Sequence, residues 1–244
     1  KPYLGFTNTT SQTYFGDIEA ETDTNGLLLW GVGKAGMSSN GPVEIRAGGS
    51  GGNQDIVLSP GGTGSVLAKR LNNVRFADQF PGADAGAKIA ACIADLPSTG
   101  GTCDARGLEG AQTISATLNL ESKPVALLLG AATYTLNAGF YSSATAKVRT
   151  VGLGSGLTKL VRGAAYAGKL LNFAAAISGL EVAGVEFDNN ASVTGGNDAI
   201  GIANGSADVW IHHNRFPNQG NGKAVDLTGG LSMSRRIRVE DNHI

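Results

Sequence analysis

Three stretches near the end of the chain repeat one spacing of residues. Leu180, Val182, Val185 and Phe187 are matched by Val209, Ile211, Asn214 and Phe216, and again by Ile237, Val239, Asn242 and Ile244. The register advances by 29 residues from Leu180 to Val209 and by 28 from Val209 to Ile237. A period of that length carrying several short strands fits one coil of a right-handed parallel β-helix, where each coil buries its inner face only by stacking on its neighbours. The pairs Leu171/Phe173, Ile200/Ile202 and Val225/Leu227 supply a second face of each coil. Asn214 and Asn242 share one repeat position, which predicts an asparagine ladder in which stacked amides bond to one another and to the backbone.

Composition agrees with many short strands and many turns. Gly accounts for 37 of 244 residues, about twice the usual roughly 7%. Short Val, Ile and Leu pairs separated by Gly, Asn, Ser and Asp recur, while runs of Glu, Lys, Leu and Arg are rare, so the expected class is all-β. A formal charge of -1 offers no basic field, so no nucleic-acid partner is expected. No stretch approaches the roughly 18 apolar residues of a membrane span, and Lys1 opens no signal peptide, which implies a removed signal or a fragment. Cys92 and Cys103 flank the turn 97–101 and are expected to form a disulfide, which implies a secreted or cell-surface protein in an oxidising compartment.

Three regions follow. Residues 1–70 form a Gly-rich N-terminal region. From Gly26 to Lys69 it shows short alternating strands at Leu28/Trp30/Val32, Val43/Ile45, Ile56/Leu58 and Val66. Such strands need copies of themselves or a neighbouring domain to pair with. Residues 71–83 read as a linker. Residues 84–244 form the β-helix, expected to be incomplete at the C-terminus, with one capping helix over 84–96. Asp84 is its N-cap, Ile89, Cys92, Ile93 and Leu96 share one face, and Pro97 ends it.

Residues 82–94, then Gly100 to Arg106 with its Gly-Gly-Thr-Cys-Asp-Ala-Arg, then Gly130-Ala131-Ala132-Thr133-Tyr134-Thr135-Leu136, resemble the start of the pectate lyase superfamily domain. In that family a capping helix is followed by a Gly-Gly strand and a Gly-x-Tyr strand, the order found here. Residues 26–69 resemble the neck regions of phage tail fibres and tailspikes, which implies assembly with copies of itself into a trimer, fibre or appendage. The first resemblance implies polysaccharide as a partner, and for the family's enzymes either elimination with bound calcium or hydrolysis between two carboxylic acids.

Strand alternation sets which side chains face outward. Glu181, Trp210 and Arg238 are expected in one column, Ala183, His212 and Glu240 in the next, and Glu186, Arg215 and His243 beyond the bend, with neighbours about 4.8 Å apart. Exposed columns of this kind pair charges across coils, here Glu186 with Arg215, His212 with Glu240, and Asp198 with Lys223. An outward Trp210 also offers a platform for a sugar ring, with Glu181, Arg215, Arg238 and Glu240 as hydrogen-bonding groups of a glycan-binding face.

Catalytic candidates are Asp198, in a strand resembling a polygalacturonase signature at 196–202, Asp226 on the next coil, and His212 or His213 as accessory groups. Other signatures of that family are missing. His212 and His213 are adjacent and, on an extended strand, face opposite ways, so no metal site is expected. No cofactor is implied, and calcium belongs only to the elimination route. The leading expectation is therefore an extracellular structural or adhesive β-helix with a glycan-binding face. Its alternative is a polysaccharide lyase or glycoside hydrolase acting on acidic, pectin-like polysaccharide.

Overall fold

The computed structural model describes residues 18–21, 26–29, 70–71, 73–120, 123–142, 147–190, 198–227 and 235–244, the first three segments as backbone alone. The chain divides into two compact units, Lys1–Val66 and Leu67–Ile244. In the first, β1 (Ile18–Glu21) pairs antiparallel with β2 (Gly26–Leu29), placing Ile18 opposite Leu29. The other strands expected between residues 30 and 69 lie outside the described residues.

The second unit is a parallel β-helix of about five coils. Residues 71–83, expected as a linker, belong to it. β3 (Arg70–Leu71) turns back on β4 (Val74–Phe76), and β4 pairs in parallel with the strand that opens the first coil. That first edge needs backbone partners, and Val74–Phe76 supplies them. Arg75, buried within β4, reaches Asp95 with Nε 2.6 Å from Oδ2.

The capping helix α1 (Ala85–Ala94) follows as expected. The Asp84 side chain accepts from the Ala87 amide at 2.8 Å, and its other oxygen accepts from the Ser115 amide at 2.9 Å, tying the helix start to the coil below. Ile89, Cys92 and Ile93 are fully buried against the end of the β-helix. At the other end, Lys123 Nζ donates to the Ala94 and Leu96 carbonyls at 3.1 and 2.8 Å, satisfying acceptors that a helix end leaves bare.

The coils run β5 (Gly101–Ala105), β6 (Gly110–Ile114), β7 (Leu118–Asn119); β8 (Val125–Leu129), β9 (Ala132–Leu136), β10 (Phe140–Ser142); β11 (Val148–Val151), β12 (Lys159–Arg162), β13 (Leu171–Phe173); β14 (Ser178–Ala183), β15 (Glu186–Asp188), β16 (Ile200–Ile202); then β17 (Ala207–His212), β18 (Val225–Leu227) and β19 (Arg235–Glu240). They stack into three sheets: β3-β4-β5-β8-β11-β14-β17-β19, β6-β9-β12-β15 and β7-β10-β13-β16-β18, all parallel except β3 against β4. The sheet containing β17 is called the broad face below.

Inward columns form the core. Val125, Val148, Leu180 and Val209 stack in register, as do Leu118, Phe140, Leu171 and Ile200. All are buried. Phe187 and Phe216 stack with ring centres 5.3 Å apart. Leu227 and Val239, on the last described strands, are 48% and 46% exposed, whereas their register partners Ile202 and Ile211 are 1% and 0% exposed.

The asparagine ladder is present. Asn214 Nδ2 donates to the Val182 carbonyl at 2.9 Å and to Asn242 Oδ1 at 3.1 Å, and its Oδ1 accepts from the Val185 amide at 3.1 Å. The residue before each position takes a left-handed backbone: Gly184 at φ 66°, His213 at 55° and Asp241 at 54°. This turn sends the chain from the broad face onto the β15 side.

Cys92 and Cys103 are joined, with Cα atoms 5.8 Å apart, linking α1 to β5. Replacing both with serine is expected to cost about 3 kcal/mol by releasing a short covalent loop in the unfolded chain. Urea denaturation of wild type and the double variant measures this. A difference below about 1 kcal/mol would show that α1 is held by packing alone.

Candidate functional site

Two polar constellations stand out, on different sheets. On the broad face, the expected columns form in register: Glu181 beside Trp210 beside Arg238, and Ala183 beside His212 beside Glu240. Trp210 is 40% exposed. Its Nε1 donates to Glu240 Oε1 at 2.9 Å, and the His212 ring stacks on it with centres 3.7 Å apart and planes at 22°. The indole is thus held from two sides by side chains of its own sheet.

The surroundings differ from the expected ladder in three ways. His212 does not pair with Glu240, which bonds Trp210 instead; its Nε2 lies 3.4 Å from Glu181 Oε1, at ion-pair distance without an aligned hydrogen bond. His212 is also buried rather than outward, at 9% exposure, because it lies against the indole. Third, His213 does not face away. Its left-handed φ of 55° swings its ring back, bringing Nδ1 to 2.8 Å from His212 Nδ1 with the rings edge to face.

Arg149, which the sequence did not single out, completes the face from β11. It forks onto Glu181 at 2.5 and 3.2 Å. Burial alone would raise the Glu181 carboxyl, but hydrogen bonds and charge from Arg149, with His212 close by, outweigh it and hold the group below the ordinary range. Arg238 lies 4.0 Å from Glu240. Arg215, expected among the glycan-binding groups, belongs elsewhere. The turn at His213 and Asn214 carries it past the bend, where it pairs with Glu186 at 2.9 Å, and Glu186, expected outward, is buried between Arg215 and Lys159.

On the β13-β16-β18 sheet, Asp198 and Asp226, from successive coils, both reach a residue not anticipated from sequence. Lys169 Nζ lies 2.7 Å from Asp226 Oδ2 and 3.5 Å from Asp198 Oδ2. Lys223 completes the group with Nζ 2.6 Å from Asp226 Oδ1, while its backbone amide donates to Asp198 Oδ1 at 2.9 Å, so the expected Asp198–Lys223 pairing is made through backbone. Lys169 crosses a whole coil to reach Asp226. Gly201 makes that path available, since a β-carbon there would sit 2.3 Å from Lys169 Cδ. Hydrogen bonds from Lys169 and Lys223 lower the Asp226 carboxyl to about 2. At neutral pH it is therefore a fixed anion and cannot donate a proton. His212 lies on the broad face and takes no part, which removes it from the catalytic set expected with the two aspartates.

Among the described residues, no three His, Cys, Asp or Glu side chains gather closely enough to hold a metal ion. No helix among them is long and apolar enough to cross a membrane. A groove of about 480 Å³ lies at the corner beside β13 and β16, lined by Asn172, Phe173, Ala174, Ala176, Ala203 and Asn204, and includes none of the candidate side chains.

Comparisons with protein-family models, with curated proteins and with solved structures give no match.

Proposed function

We propose that this chain is an extracellular β-helix that binds a polysaccharide, with a sugar ring seated on Trp210 and neighbouring hydroxyls bonded by Glu240, Glu181 and Arg238. The observation that carries this reading is an indole left 40% exposed yet fixed by Glu240 and His212. A platform held in place before the ligand arrives loses little freedom on binding. Parallel coils also repeat along the helix axis, which suits a polymer lying across several of them. The disulfide and the resemblance of residues 84–136 to the pectate lyase superfamily support an extracellular, carbohydrate-directed role. Self-association through residues 26–69 rests on positions outside the described residues, apart from β2 (Gly26–Leu29).

Affinity electrophoresis through gels containing polygalacturonate, alginate or xylan tests the reading. Trp210→Ala is expected to weaken retardation about tenfold, a loss of about 1.4 kcal/mol. Undiminished retardation in Trp210→Ala, or none with any of the three polymers in wild type, counts against it.

A second reading, cleavage of an acidic polysaccharide, is favoured by the convergence of Lys169, Asp198 and Asp226 from separate coils. With Asp226 held ionised, proton transfer falls to Asp198 or Lys169, and Asp226 serves to anchor Lys169. New reducing ends or unsaturated uronate released from polygalacturonate by wild type, and lost in Asp198→Ala, would establish this activity.

A further inference from the structure

We propose that Glu181, His212 and His213 form a proton-controlled latch on Trp210, in which one shared proton holds the two imidazoles together and mild acid places a cation against the indole. The glycan consequence rests on the platform reading above; the latch does not.

The stoichiometry follows from the contact. Two ring nitrogens 2.8 Å apart can hold one hydrogen between them, so one Nδ1 donates and the other accepts. Glu181 selects which. Its carboxylate faces His212 Nε2 at 3.4 Å, and that nitrogen is buried with no hydrogen-bond partner. A carboxylate there favours the tautomer carrying hydrogen on Nε2. His212 Nδ1 is then the acceptor and His213 Nδ1 the donor.

Acid acts on this chain in two steps. The first added proton settles on His212 Nδ1, and the contact survives if His213 moves its hydrogen from Nδ1 to Nε2, reversing the direction of the bond. His212 is now an imidazolium between Glu181 and the Trp210 face, stacked at 3.7 Å. A second proton puts hydrogen on both Nδ1 atoms, and a 2.8 Å contact cannot accommodate that, so His213 must swing out. The charged groups around the pair come from every adjoining strand: Arg149 on β11, Glu181 on β14, Glu240 and Arg238 on β19, with Asp241 just beyond it, whose backbone carbonyl accepts from the His213 amide at 3.1 Å. Arg149 engages Glu181 and Glu240 engages Trp210, which leaves Glu181 as the anion facing His212.

A cation on the covered face of the indole draws π density from the exposed face, where a sugar would stack. Glycan affinity is therefore expected to fall as the pH falls. The test uses the full chain with Trp30→Phe, which leaves Trp210 as the single tryptophan. Its emission is expected to drop as pH is lowered from about 8 to about 4, because a stacked imidazolium quenches indole. His212→Gln should remove the drop. Flat emission in the parent, or a drop that survives in His212→Gln, overturns the latch. Polygalacturonate retardation measured over the same range separates the two readings. Weaker retardation in acid that becomes pH-independent in His212→Gln supports control of the platform, and pH-independent retardation beside a normal emission change overturns that control. No retardation at any pH rejects the platform while the emission result decides the latch.

Discussion

Replacing Arg162 with methionine is expected to destabilise the fold by about 3 kcal/mol, lowering the melting temperature by roughly 10 °C in a chain of this size. Arg162 lies in register with Leu136 and Ile114, so it occupies an inward position in a column that is otherwise aliphatic. It is 1% exposed. Its guanidinium donates to the Gly168 and Tyr166 carbonyls, to Asn189 Oδ1 at 2.7 Å and to the Asp198 carbonyl at 3.3 Å, and sits 5.6 Å from the Tyr166 ring centre. Burial lowers its pKa from the ordinary value, but arginine keeps its charge. Methionine fills much of the volume and takes the guanidinium's donors away from those acceptors, which is the costly way to remove a buried polar group. Arg162→Lys should recover less than half of the loss, because one ammonium cannot span acceptors set around a planar fork. Thermal denaturation followed by circular dichroism decides. A fall of about 1 kcal/mol or less in Arg162→Met would mean water replaces the guanidinium. The same substitution should loosen residues 163–169 and with them Lys169, so any cleavage activity at Asp198 should fall alongside stability.

The second large effect belongs to the ladder. Asn214→Leu keeps the side-chain size but deprives the Val182 carbonyl and the Val185 amide of their partners and removes one of the two donors to Asn242 Oδ1, the Asn214 backbone amide remaining, at an expected cost of about 3 kcal/mol. Asn242→Leu makes a sharper comparison. Asn242 Nδ2 donates to the Ile211 carbonyl at 2.8 Å and to the Glu240 carbonyl at 3.0 Å, but Asn242 is only half-buried, whereas Asn214 is 1% exposed. Water can take over for Asn242, so its loss should cost about 1 kcal/mol. Urea midpoints of the two variants would rank them, and an equal or larger loss for Asn242→Leu would show that burial does not set the strength of this ladder.

The two constellations make different demands on a ligand. The broad face offers a fixed indole with mixed charges around it and suits the stacking of a sugar ring. The Lys169 cluster holds its charges in mutual contact, with Asp226 satisfied on both oxygens by lysines. A substrate carboxylate entering there must compete with Asp226 for Lys169 or Lys223. That competition makes the cluster a weaker binding site than its charge alone suggests, and it is why glycan binding is proposed at Trp210 rather than at this cluster.

What the sequence determined by itself was whatever repeats or alternates. The 28- and 29-residue spacing specified the coils and the register of Glu181, Trp210 and Arg238, because stacked strands have a period of two and a one-residue slip would turn every apolar side chain to the wrong face. The capping helix and disulfide were equally legible, from an N-cap aspartate, helical spacing of Ile89, Cys92 and Ile93, and two cysteines across a turn. Tertiary structure alone decided the rest. Arg149, Arg162 and Lys169 have long side chains that each reach a side-chain partner 27 to 57 residues away along the chain, and nothing local marks where such a side chain will end. His213 was misjudged for a related reason: strand alternation sends neighbours to opposite sides, but the left-handed turn at the corner of the coil folds its ring back onto His212. Periodicity tells which face a residue occupies. Only the stacked coils reveal which side chain it meets there.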